Sequence, residues 1–134
     1  MNGKNMEIGD TASISNVFEE RDVFKFAEVS KDSNPIHLDP ATAKQSIFGR
    51  RVVHGMLVAS LFSGLLGVEL PGEGTIYLGQ SLSFKAPVFF GDQITATVEV
   101  MEIREEKSIA RLRTYAVNQS GATVIDGEAI VKFA

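Results

Sequence analysis

A chain of 134 residues, 44% hydrophobic and 22% charged, is sized for one domain, residues 1–134, with a substantial core. Its formal net charge of −4 argues against nucleic acid or an anionic membrane as the main partner. The absence of cysteine removes disulfides, thiolate catalysis and Cys-based zinc sites.

The opening MNGKNMEIGD lacks the basic-then-apolar pattern of a secretory leader, so a cytoplasmic protein is expected. TASISNVF (11–18) alternates as a strand does. In the following segment Val23, Phe24, Ala27 and Val29 fall roughly on helical spacing, which predicts a short helix over about 20–30. Asn34-Pro35 disfavours helical backbone at Asn34 and forms turns. Asp39-Pro40-Ala41 reads as an N-cap followed by proline at the first helical position.

The apolar stretch 52–68 is broken by His54, two serines and three glycines, and falls short of the ~20 residues that span a bilayer. Its part from Gly55 to Leu66 is apolar on nearly every side, with only Ser60 and Ser63 polar, which predicts a helix surrounded by protein. Beyond Gly72 four segments rich in β-branched and aromatic residues follow, at 75–90, 93–106, 108–118 and 122–134. Turns are expected at Gly91-Asp92, Glu106-Lys107 and 119–121. Ile94, Ala96, Val98 and Val100 alternate, as do Ala129, Val131 and Phe133. These elements predict an α+β architecture: an antiparallel meander wrapped on one buried helix, joined by one early strand.

The chemistry concentrates in SKDSNPIHLDP (30–40). Asp32 and His37 would stand ~17 Å apart in extended chain, but a folded turn brings them together. The stretch is then either a polar turn with a capping aspartate or an acid–base device. A metal site from His37 and Asp39 is disfavoured by the count of two histidines and no cysteine. PGEGT lacks the lysine of a phosphate loop and reads as a turn.

Asp32-x-Asn34-Pro35-x-His37-x-Asp39-Pro40, followed by Val53-His54-Gly55-Met56, is similar to the signature of MaoC-like (R)-specific enoyl-CoA hydratases. SLFSGLLG (60–67) and YLGQSLSFKAPVFFGD (77–92) extend the resemblance over most of the chain, closest to the short members that feed polyhydroxyalkanoate synthesis. The resemblance implies a hot-dog fold, a sheet around a long central helix, and a homodimer with acyl-CoA near the subunit boundary. One departure stands out: Lys31 occupies a position where many members have glycine.

The implied reaction is reversible syn hydration of a trans-2-enoyl-CoA to an (R)-3-hydroxyacyl-CoA. Asp32 is the expected base, with His37 as orienter and proton donor. Gly55 at the helix start would offer a backbone N–H to the thioester enolate. Asn34 would fix the turn or the substrate, and Ser63 would support the active-site hydrogen bonds. Leu66 and Val131 would line the end of the acyl pocket. Arg50, Arg51 and Lys85 are candidates for the CoA phosphates. His54 either touches substrate or is a neutral histidine bonded within the helix N-terminus, and is not counted as catalytic. No metal or redox cofactor is implied, since CoA belongs to the substrate.

Three other functions share these features. One is dehydration of 3-hydroxyacyl groups on acyl carrier protein, an acidic partner poorly matched to a net charge of −4. Another is a hot-dog thioesterase, disfavoured because MLVASLFSGLLG contains no carboxylate. The third is a non-catalytic acyl-CoA-binding module, for which Asp32 and His37 would be superfluous.

Overall fold

The computed structural model describes residues 5–134. In chain order the elements are strand β1 (Thr11–Val17), helix α1 (Glu20–Ser30), one-turn helices α2 (Pro35–Leu38) and α3 (Pro40–Lys44), and helix α4 (Gly55–Gly64). A wider π-turn over Leu65–Glu69 prolongs α4. Strands β2 (Ile76–Phe84), β3 (Gln93–Arg104), β4 (Ile109–Val117) and β5 (Thr123–Lys132) complete an α+β chain.

The five strands form one antiparallel sheet in the order β1-β3-β4-β5-β2. Only β3, β4 and β5 form the expected meander; β2 pairs with β5 at the far edge. The difference traces to residues 85–92. Pro87 has no N–H to give a ladder, so β2 stops at Phe84. The remaining eight residues reach about 26 Å when extended, enough to cross the three strand spacings, about 14 Å, back to β3. That link runs along one end of the sheet, and its Val88 and Phe89 catch the chain entering α4: Val53 N–H donates to Val88 O at 2.7 Å, and Val52 forms an antiparallel bridge with Phe89.

The core lies between the sheet and α4. Ile94, Ala96, Val98 and Val100 are fully buried, as their alternation predicts, together with Leu112, Ala129 and Val131. From the helix side come Val58 and Phe62, with Leu65 and Leu66 from the π-turn. The expectation that protein surrounds the helix on all sides needs correcting for the single chain. Met56 is 57% and Val68 73% exposed, and Ser60, Ser63 and Gly64 are open as well. One sheet can cover only one side of a helix, so the opposite face of α4 is left bare.

Candidate active site

Helix α1 ends where Lys31 turns into the left-handed region, φ 69° and ψ 8°, while its N–H closes the helix on Ala27 O at 2.9 Å. Glycine tolerates that conformation best, which gives a physical reason for the glycine of similar sequences and marks Lys31 as a strained replacement. The chain then folds on its own side chains. Asp32 Oδ1 accepts from Asn34 N–H at 3.2 Å, and Asn34 Oδ1 accepts from Ile36 N–H at 3.2 Å. Asn34 thus caps α2, with Pro35 at its first position, and this single helical turn swings His37 back toward Asp32. Asp39 caps α3, accepting from Ala41 N–H and the Thr42 hydroxyl. Those bonds, Thr42's first, hold its carboxyl below the ordinary value. It is committed to structure, as a capping role requires.

His37 Nε2 lies 3.8 Å from Asp32 Oδ2, too far for a direct hydrogen bond. A water oxygen about 2.8 Å from each fits between them. The His37 ring is fixed from behind, its Nδ1 being 2.7 Å from Val52 O. A carbonyl only accepts, so Nδ1 carries a proton, and in the imidazole form the lone pair lies at Nε2. In that form Nε2 accepts first and donates once it has received a proton, which is compatible with the expected role of His37 as orienter and proton donor.

His54 packs behind the pair. Its ring stacks on His37 with centroids 3.8 Å apart, meets Phe26 edge-on at 4.9 Å, and places Nε2 2.9 Å from the backbone O of Asp32. The residue occupies the N-cap position of α4 but makes no side-chain capping bond. The sequence reading of a histidine bonded within the helix N-terminus is therefore replaced by a contact 22 residues away. Gly55 begins α4, so its N–H has no carbonyl of its own helix to bond, and the helix dipole favours negative charge there. A Cβ at Gly55 would lie 2.6 Å from the Phe84 ring, so any larger residue there would have to displace that ring.

These groups share a cleft of about 500 Å³, within the range of small-molecule sites. Asp32, His37, His54 and Gly55 occupy its polar end, and Phe48, Phe84, Pro87, Val88 and Ile125 supply apolar wall. The structure does not bring every expected residue there. Asn34 is a solvent-exposed cap. Ser63 sits on the bare face of α4, outside the cleft lining. Leu66 and Val131 are packed in the core, at 1% and 0% exposure, and do not line the cleft. The expectation for Ser63, Leu66 and Val131 came from resemblance, and no local contact in the single chain carries it.

Of the candidate phosphate-binding cations, Arg51 pairs with Glu20 at 2.8 Å and lies over Phe90. Arg50 lies flat on Phe89, 3.8 Å from its centroid, and Lys85 lines the cleft. Ligand atoms of Asp32, His37 and His54 gather within 4.8 Å of one another. His54 Nε2 is already given to the Asp32 carbonyl.

An antiparallel sheet curled on one helix, with a water-sized acid–imidazole gap beside that helix's N-terminus, places the molecule among the hot-dog enzymes. The MaoC like domain family matches residues 3–121, and the chain belongs to that family. It is 56% identical to an (R)-specific enoyl-CoA hydratase of Aeromonas caviae over 132 residues, 98% of each chain. A second (R)-specific enoyl-CoA hydratase, from Rhodospirillum rubrum, is 45% identical over 92% of this chain and 85% of its own. Among solved structures, the A. caviae (R)-hydratase involved in polyhydroxyalkanoate biosynthesis superposes with a TM-score of 0.96 at 55% identity, covering 98% of this chain and 100% of that one.

Proposed function

We propose that the protein is an (R)-specific enoyl-CoA hydratase, adding water reversibly to a trans-2-enoyl-CoA. The observation that carries the reading is the 3.8 Å gap between Asp32 Oδ2 and His37 Nε2, set in the same cleft as the first N–H of α4. A water in the gap donates one hydrogen to each acceptor and turns its lone pair toward C3. As the C3–O bond forms, the water proton passes to the acid–imidazole pair. The C2=C3 electrons move onto the thioester oxygen, where the Gly55 N–H receives the negative charge. Return of that proton from the pair to C2 completes the addition. Both atoms arrive from one face, so the addition is syn. The addition is redox-neutral, so no redox group is required. General acid–base catalysis of this kind contributes ~10²–10⁴-fold, and a single oxyanion donor ~10²–10³.

Of the three candidate cations, Lys85 and Arg50 rather than the Glu20-paired Arg51 would meet the CoA phosphates. The partner proposed for the bare face of α4 is a second copy of the chain. Edge strand β2 also leaves Ile76 and Leu78 more than half exposed. An edge with free N–H groups invites pairing. A homodimer in the cytoplasm, with acyl-CoA as the small-molecule partner, fits these features and the cysteine-free composition. Among the described residues no helix is long and apolar enough to cross a membrane.

Loss of the enoyl-thioester absorbance of crotonyl-CoA, with chiral analysis of the product, tests the reaction. An (S) product, or release of free CoA, would overturn it. Light scattering tests assembly: Val68→Asp is expected to yield monomer, and a wild-type monomer would refute the dimer.

A further inference from the structure

We infer that His54 is a positioning residue: its Nε2–H ties down the backbone of Asp32 while its ring forms the floor on which His37 lies. The inference deepens the hydratase reading and rests on it for its kinetic arm.

The segment around Asp32 is thinly supported. Residues 31–35 are all exposed, and Lys31 enters in a strained conformation. The local bonds described above define the shape of the turn, but they join it only to itself. The bond from His54 to Asp32 O, 2.9 Å long, fastens it to the start of α4. Two residues earlier, Val52 O fixes the His37 ring, and one residue later comes the Gly55 N–H. The four residues Val52 to Gly55 thus set the base, the imidazole and the oxyanion donor relative to one another.

The chemistry of the His54 ring agrees. Its Nδ1 is buried without a hydrogen-bond partner, so a proton there would be unsatisfied. The favoured form is neutral with the proton on Nε2, the tautomer that can donate to Asp32 O. Burial, opposed in part by that bond, depresses the ring's pKa, which disfavours a positive charge on the ring stacked against His37.

Two substitutions separate the bond from the bulk. In His54→Gln the amide nitrogen stands as many bonds from Cα as the imidazole Nε2, so the donor is retained. His54→Phe retains the flat ring against His37 and Phe26 and loses the donor. Displacement of Asp32 predicts a kcat lowered about 10- to 100-fold in His54→Phe, with KM for crotonyl-CoA unchanged and most of kcat kept in His54→Gln. Equal losses in both, or wild-type kcat in His54→Phe, overturn the inference. Should His54→Phe fail to fold, His54→Leu is compared with His54→Gln in the same way. A second arm needs no substrate. The chain has two histidines, and long-range ¹H–¹⁵N spectra of the wild type should show His54 protonated at Nε2 and His37 at Nδ1. The opposite pattern for His54 refutes the role whatever the activity, whereas a wild type without hydration but with this pattern refutes only the reaction.

Discussion

Replacing Asp32 by asparagine changes one atom and should remove most of the activity. The two carboxylate oxygens have separate duties. Oδ1 accepts from Asn34 N–H at 3.2 Å and holds the turn, while Oδ2 faces His37 Nε2 across 3.8 Å. An asparagine amide can keep its oxygen on Asn34, but its NH₂ then stands where Oδ2 stood and points a donor into the water gap. Reversing the amide would recover an acceptor there at the cost of the turn bond, about 1 kcal/mol, and would still leave no group able to take a proton. The expected loss in kcat is that of a general acid–base group, about 10²–10⁴-fold, or roughly 3–5 kcal/mol of transition-state stabilisation at about 1.4 kcal/mol per tenfold. Stability should barely change, because Asp32 is half exposed and its turn bond survives. The assay is crotonyl-CoA hydration at saturating substrate, alongside thermal melting. A D32N variant with a wild-type melting temperature and more than a tenth of the wild-type kcat would refute Asp32 as the proton acceptor.

Three further predictions concern stability. In Gly127→Ala the new Cβ would stand 1.9 Å from Ser81 O on β2; backbone cannot swing aside, so a loss of about 1–3 kcal/mol or more is expected, read as a lower urea midpoint, and an unchanged midpoint refutes the contact. Lys31→Gly relieves the left-handed strain at φ 69° but frees the unfolded chain, so a net gain of up to about 1 kcal/mol is expected; a lower melting temperature would contradict it. The third is a pH effect. Burial lowers the His54 pKa from its ordinary 6.5, so below that value the unfolded chain binds this proton more readily than the fold does. Its contribution is therefore present above pH 6.5 and lost as pH falls through 6.5 toward the depressed value. His54→Gln should flatten the fall in urea midpoint between neutral and mildly acidic pH, and an unaltered slope would show that His54 is not buried neutral.

Local pattern made much of this architecture legible. β1 and α1 fall within a residue of where alternation and helical spacing place them, and the buried alternation of β3 and β5 marks the core face. The order of the strands was not legible in the same way. A meander is the shortest-path solution, and only the cross-sheet link through Pro87 reveals that β2 prefers the far edge. The turn that brings Asp32 and His37 together could be read because Asn34-Pro35 and Asp39-Pro40 are turn and cap signals that pin one short stretch, whereas its acid–base role came from the resemblance. The work of His54 could not, since its partner is a backbone carbonyl distant in sequence, and a histidine before a helix carries no mark of that contact. Ser63, Leu66 and Val131 show the opposite limit: resemblance singled them out, while their surroundings in one chain are solvent or ordinary core.

The rail from Val52 to Gly55 also separates two kinds of change. Phe48, Phe84 and Ile125, which supply apolar wall to the cleft, belong to a loop and two strands outside the Val52–Gly55 strip. Substitutions in those walls can reshape the cleft without touching the strip whose Val52 and His54 hold His37 and Asp32.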